Sequence, residues 1–300
     1  MYILGDRMPQ QAFATIIAQD CFPLFQKILK VEGHVGKISL VLHGTGGAID
    51  APWPLVNMIR EFTDDFEVIV PRKALSAATL ICLGSERIVM GPFSHISPVD
   101  PTGNFVNPEG KTEQFAIQDI LGFIEFSRQK IGLTDRPGKV EILKALSKID
   151  PKILGSINRT EALIRKLTKG FLMMRKTNRL SGRTTKRIVE NLTVKNYSHQ
   201  HLIGRREARD DIGFGPMIEF AAEKFSELVE RLYERIDTDL DLSVNFDPRP
   251  LFQQSQGQPV GVKAVCAILQ SEKLNYEGIR ELAVIPPAQI QLMSFSWELI

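Results

Sequence analysis

The sequence predicts an α/β protein with a core of parallel strands, and three observations lead there. Apolar, β-rich runs recur at Lys37–Leu42 (KISLVL), Phe66–Val70 (FEVIV) and Arg87–Met90 (RIVM). The first two are each followed by a stretch with helical spacing, Trp53–Phe62 and Ala77–Leu83. The Lys37–Leu42 run is continuous rather than alternating, as expected of a strand buried on both faces. A strand-turn-helix rhythm returns the chain to the same end of the sheet, so successive strands lie parallel.

Taken in order, residues 10–31 carry apolar positions at helical spacing interrupted by Pro23, which predicts one or two short helices over a sheet edge. The 37–42 strand runs into the turn His43-Gly44-Thr45-Gly46-Gly47. Pro52 and Pro54 fall near the start of the next helix, where a missing N–H is tolerated. The 66–70 strand meets Ser76, which opens a helix of small residues, and the 87–90 strand ends in a proline-bounded turn. Residues 102–112 read as a polar loop, followed by a helix from about Glu113 to Lys130. Further helices are predicted at 138–148, 158–177, 182–191, 205–212 and 216–236. The remainder reads as short strand-like runs. The expected organisation is a main domain over 1–236, helical from about 105 onward, and a small β-rich or α+β C-terminal appendage over 237–300.

Composition narrows the function. A chain of 300 residues with 43% hydrophobic content can bury a sizeable core. A formal charge of +2 creates no strong field over the whole molecule, so a polyanion partner would need a local patch. Such a patch exists: Arg165 to Arg209 holds thirteen Lys/Arg against two acidic residues, and this run of helices could contact phosphates. Its plainer reading is a solvated helical face, or one paired with Glu219, Glu223, Glu227, Glu230 and Glu234. Cys21, Cys82 and Cys266 are widely spaced in apolar contexts, which points to core thiols in a reducing compartment. No run approaches the ~20 apolar residues of a membrane span, and the first residues lack a signal-peptide pattern, so a cytoplasmic location is expected. His199 and His201 have no cysteine or carboxylate pair at ligand spacing, so neither a metal nor another cofactor is expected.

Ser76 is the candidate catalytic residue. A serine hydroxyl becomes a nucleophile when a base takes its proton and fixed donors stabilise the oxyanion. A strand-to-helix junction supplies free first-turn N–H groups, and Gly46-Gly47 can adopt the dihedrals that aim an N–H at a carbonyl. The plain alternative is that Ser76 is an N-cap, the commonest use of a serine before an apolar helix.

The segments LVLHGTGGAIDA (40–51) and FEVIVPRKALSAATLICLGSERIVMGPFSHISPVDP (66–101) resemble the serine dehydrogenase proteinase family, relatives of signal peptide peptidase A in the ClpP/crotonase superfamily. The matching features are His43 to Gly47, Val70-Pro71, Ser76-Ala77-Ala78-Thr79 and Ser97-Pro98-Val99-Asp100-Pro101. Downstream, Tyr197-Ser198-His199, Ile203, Glu207-Ala208 and Ile212-Gly213 are similar to a further family segment. Gly44-Thr45 stands where the family favours Thr-Pro, and Ala77-Ala78 where it favours Ala-Gly. The 102–160 stretch has no counterpart.

The resemblance implies a repeated β-β-α spiral core and peptide hydrolysis through an acyl-serine intermediate on Ser76. It assigns the oxyanion hole to the N–H groups of Gly47 and Ala77, with Gly46 and Ala48 against the substrate. Related enzymes use a lysine or a histidine as base. A lysine base must be partly buried. Lys152 suits the topology best, while Lys111, Lys130, Lys148 and His95 stay open. The substrate would be a peptide or protein. Self-association is expected, as is a possible membrane-protein or ATPase partner in trans.

Overall fold

The computed structural model describes residues 1–4, 16–99, 102–106, 112–147, 151–177, 179–193, 201–244, 246–285 and 289–300. In chain order, β1 (Tyr2–Leu4) is followed by α1 (Phe22–Glu32), β2 (Ile38–His43), α2 (Pro52–Arg60), β3 (Phe66–Val70), the two-residue β4 (Lys73–Ala74), α3 (Ala77–Leu83), β5 (Arg87–Met90) and the two-residue β6 (His95–Ile96). Then come the hairpin β7 (Thr102–Val106) and β8 (Thr112–Ala116), and helices α4 (Ile117–Gln129), α5 (Arg136–Leu146), α6 (Pro151–Met173) and α7 (Gly182–Thr193). The chain continues through β9 (Ile203–Gly204), the short α8 (Arg205–Glu207), β10 (Ile218–Phe220), α9 (Glu223–Leu240), α10 (Arg249–Gln254) and the long strands β11 (Val260–Gln270), β12 (Asn275–Ile285) and β13 (Gln289–Leu299).

The apolar runs form one eight-stranded sheet in the order β10-β5-β3-β2-β1-β11-β12-β13. Its first five strands are parallel, and β1 then pairs antiparallel with β11. Both faces are covered, which explains why β3 is buried at all five positions. On one face α1, α2 and α3 pack Phe25, Leu55 and Leu80 into a core shared with Leu40, Leu42 and Val68. On the other, Tyr233, Ile236 and Leu240 of α9 pack with Ile3 and Val41. The short strands after β3 and β5 lie off this sheet: β4 and β6 pair in parallel, and β9 adds to β6 antiparallel.

Several elements differ from the sequence reading. The C-terminal stretch does not form short runs beside the main domain. Its three 11-residue strands continue the central sheet through β1, and Ala267, Leu269 and Tyr276 belong to the main core. The helix expected from Glu113 starts at Ile117, because Thr112–Ala116 pairs with Thr102–Val106 as a hairpin inside what read as a loop. The helix expected from 216 starts at Glu223, because Ile218–Phe220 satisfies its backbone as an edge strand on Ile88–Met90. Among the described residues no helix is long and apolar enough to cross a membrane. All three cysteines are buried and free.

A buried carboxylate fastens the helical layer to the sheet. Glu86 follows α3 and is almost fully enclosed. It accepts hydrogen bonds from the N–H groups of Lys176 (2.7 Å) and Thr177 (3.1 Å) and from the Thr177 hydroxyl (2.8 Å), and it pairs with Arg60 at 2.9 Å. Burial alone would raise the Glu86 carboxyl pKa, but these donors hold it below its ordinary value. Beside it, the buried Arg175 donates to the Ser85 carbonyl at 3.0 Å. Replacing Glu86 by Ala removes the carboxylate partner of the half-buried Arg60, which keeps only the Gly84 and Asp64 carbonyls as acceptors, and leaves two N–H groups without their acceptor. The expected cost is about 3–5 kcal/mol in a urea unfolding curve, against under about 1 kcal/mol for the exposed pair Lys144–Glu141.

Candidate active site

Three backbone segments meet at the C-terminal ends of β2 and β3. The turn after β2 lies on β4 through a parallel bridge between Gly44 and Ala74: the Gly44 N–H donates to the Lys73 carbonyl and the Leu75 N–H to the Gly44 carbonyl, both at 3.0 Å. On the far side of the same turn, the Ile17 N–H donates to the Gly46 carbonyl and the Ala48 N–H to the Ile17 carbonyl, both at 2.8 Å. Packing this close leaves no room for side chains at the centre. A Cβ on Gly46 would fall 2.8 Å from Ser76 Cβ, and one on Gly47 would fall 2.2 Å from the Ile17 carbonyl oxygen.

Ser76 sits where β4 turns into α3. The Ala78 N–H donates to the Leu75 carbonyl at 2.9 Å, closing a four-residue turn with Ser76 at its first central position. Its dihedrals, φ 51° and ψ −113°, are those of a type II′ turn, a place that favours glycine. A capping serine would instead sit in the extended region with its oxygen on an N–H of the first turn. Ser76 makes no such bond, so it is not the cap that local pattern suggests.

Two N–H groups beside it make no hydrogen bond among the described residues. The Gly47 N–H lies on the opposite edge from Ile17, because successive peptide groups of an extended chain face opposite ways. The Ala77 N–H opens α3, where no preceding turn supplies a carbonyl. Of the two residues expected against the substrate, Gly46 has its carbonyl and Ala48 its N–H bonded to Ile17.

Among the described residues, none of Lys130, Lys152 and His95 hydrogen-bonds to Ser76. Lys152 is exposed in the first turn of α6, and α6 meets α3 at its other end, where Phe171 packs on Gly84, about 28 Å further along the helix. Lys130 is exposed after α4. His95 is half-buried in β6, opposite Lys73 of β4, with its own N–H on the Arg72 carbonyl at 2.7 Å. Among the described residues no side chain bonds to the Ser76 hydroxyl. Lys111, Lys148, Asp100, Pro101 and the 197–199 motif lie outside the described residues, as does His199. No cluster of three metal-binding side chains occurs among those described, and His201 instead meets Glu207 at 2.6 Å.

Folding keeps part of the basic run together, since Arg165, Lys166 and Lys169 of α6 and Lys186 of α7 line one surface pocket. Arg175 is interior, Arg205 and Arg209 stack on Phe220, and Lys186 and Arg165 pair with Glu190 and Glu161 on their own helices. Among the described residues no ion pair joins these side chains to Glu219 of β10 or to Glu223, Glu227, Glu230 and Glu234 of α9.

Three participants escaped the sequence reading. The Ser97 and Thr79 hydroxyls brace the Ser76 turn, and Ser97 stood in plain view within the Ser97-Pro98 motif. His43, the residue before the glycine turn, is fully buried, packs on Tyr233 with ring centroids 5.1 Å apart, and has neither ring nitrogen hydrogen-bonded. Burial, reinforced by the nearby positive charges of Lys73 and Arg72, lowers its pKa to about 3.

An uncapped serine on a strained strand-to-helix turn thus stands next to a glycine turn and two N–H groups that make no hydrogen bond among the described residues. No protein-family model matches the chain. An uncharacterized protein of Methanocaldococcus jannaschii is 34% identical over 64 residues, and the match spans 21% of this chain and 22% of that protein. Among solved structures, the 1510-N membrane-bound stomatin-specific protease, a mutant in complex with a substrate peptide, aligns with 73% of this chain and 94% of its own at 15% identity. The TM-score of 0.30 is too low to define a common fold.

Two outcomes follow from this geometry. Gly46→Ala forces a Cβ into Ser76 at a positive φ, so a stability loss of about 1–3 kcal/mol is expected by urea unfolding. Because folded His43 titrates near 3 and the unfolded chain near 6.5, the unfolded state binds the extra proton as pH falls below about 6.5. Stability should therefore drop by about 1.4 kcal/mol per pH unit between about pH 6 and pH 4 on His43's account, and His43→Leu should remove that share of the slope.

Proposed function

We propose that this chain is a serine peptidase on a ClpP/crotonase-like core, with Ser76 as nucleophile and the N–H groups of Gly47 and Ala77 as the oxyanion hole. The observation that carries the reading is the backbone of Ser76: it holds a glycine-like conformation that withholds the hydroxyl from capping. Strain of this kind costs about 1–3 kcal/mol and persists at functional sites where the surroundings over-determine it. The motif resemblance at His43 to Gly47 and around Ser76 supplies the reaction class.

In this reading Ser76 Oγ attacks a peptide carbonyl as a base removes its proton. The carbonyl oxygen takes the negative charge and accepts hydrogen bonds from the two free N–H groups. The tetrahedral intermediate expels the amine, which receives the proton from the base, and water then hydrolyses the acyl-serine by the same route. The first candidate for the base is a lysine, Lys152, and His95 ranks after it. A base must come within hydrogen-bonding reach of Oγ, through substrate binding or assembly, to act.

One observation favours a second reading, a catalytically silent scaffold: no described side chain bonds to the Ser76 hydroxyl. A fluorophosphonate probe separates the two. The peptidase reading expects wild-type protein to be labelled at Ser76, located by mass spectrometry, and Ser76→Ala to be unlabelled. Lys152→Ala should lower the labelling rate by about 10²-fold or more if Lys152 is the base, and His95→Ala should do so if the histidine is. A folded wild type that takes no label sinks the peptidase reading in favour of the scaffold.

A further inference from the structure

The turn that carries Ser76 is held from outside by two buried hydroxyls. Ser97 is 2% exposed. Its Oγ accepts from the Ser76 N–H at 2.7 Å and donates its own proton to the Pro98 carbonyl at 2.9 Å. With that proton committed, the oxygen presents only lone pairs to Ser76. Thr79 lies one turn into α3 and is fully buried. Its hydroxyl donates to the Ala74 carbonyl at 2.8 Å and accepts the Ser97 N–H at 3.2 Å. The two side chains thus tie Ala74 and Ser76, the residues flanking Leu75, to the segment after β6.

This bracing decides between two uses of the same serine. With φ negative and the backbone extended, Ser76 would become an ordinary N-cap, its oxygen accepting an N–H of the first turn and lost as a nucleophile. Holding φ at 51° keeps Oγ off the helix and leaves the Ala77 N–H open, at the cost of placing a Cβ where glycine is preferred. Relaxation out of this conformation would break the Ser76–Ser97 bond and bury an unpaired donor, which is itself unfavourable.

We propose that Ser97 is a positioning residue for Ser76, its hydroxyl holding the nucleophile's N–H so that Ser76 cannot lapse into a helix cap. This rests on the nucleophile reading above. Ser97 touches neither substrate nor the reacting oxygen, so its effect must appear in the rate of reaction and not in probe binding.

The test compares wild type, Ser97→Ala, Ser97→Thr and Ser97→Cys by saturation labelling with a fluorophosphonate, alongside thermal melts and hydrogen exchange at the Ser76 amide. Ser97→Ala should lower the limiting labelling rate about tenfold or more, with half-saturating probe concentration little changed and the Ser76 amide exchanging faster. Ser97→Thr, which keeps the hydroxyl, should recover most of the rate. Ser97→Cys, close in volume but a weaker acceptor, should fall between and carries the comparison if Ser97→Ala does not fold. A labelled wild type with equally reactive Ser97→Ala and Ser97→Cys overturns the positioning role alone. An unlabelled wild type overturns the nucleophile reading and the role with it, while amide exchange still reports whether Ser97 guards that N–H.

Discussion

The site depends on how closely three stretches of backbone approach one another. Residues 16–18, the turn after β2 and the β4–α3 junction lie edge to edge, joined by main-chain hydrogen bonds from Ile17 and Gly44. Glycines at 46 and 47 make this possible, because any Cβ there would enter Ser76 or the Ile17 backbone. The three segments come from different parts of the chain, yet each is attached directly to a central strand or its helix. Their separation is therefore set by the strand spacing of the sheet and cannot drift independently.

α3 is fixed at both ends. All seven of its residues are buried. Its start is held by the Thr79 and Ser97 hydroxyls, and its end packs on α2 and α6 at Gly84, where a Cβ would lie 2.6 Å from Val56 and 3.0 Å from Phe171. Just past Gly84, Glu86 ties α2 and the residues after α6 to the same point. Glycine suits position 84, since any Cβ there would push Val56 of α2 and Phe171 of α6 away. The Glu86 carboxylate and the Thr79 and Ser97 hydroxyls are all hydrogen-bonded within the chain, which makes the surroundings of Ser76 stiff.

Charge is arranged in a similar way. Glu67 is held by Lys37, Ser39 and Arg87, and Arg72 stacks between Phe93 and Tyr233 while meeting Glu230. Many of the basic side chains described after α6 likewise find ring faces, carbonyls or carboxylates. A run of Lys and Arg that reads as one patch along the chain is divided by folding between the interior Arg175 and a surface pocket lined by Arg165, Lys166, Lys169 and Lys186. The His43 ring is enclosed by apolar packing and neighbouring cations, which is why it resists protonation.

The sequence by itself determined the α/β class, the strands at 37–42, 66–70 and 87–90, and a serine at the opening of a small-residue helix downstream of a double glycine. These are local facts: strand burial, helix spacing and glycine turns are written in a few neighbouring residues each. Only the tertiary structure decided that β11 pairs with β1, so that the C-terminal strands enlarge the main sheet, and that Ile218–Phe220 is a strand at its other edge. An alternating or apolar run states that a face will be buried, never which remote strand will bury it. The same holds for Ser76. Its identity as cap or reactive group rests on one dihedral angle, and that angle is held by a hydroxyl twenty-one residues away at Ser97, a partner that no local pattern names.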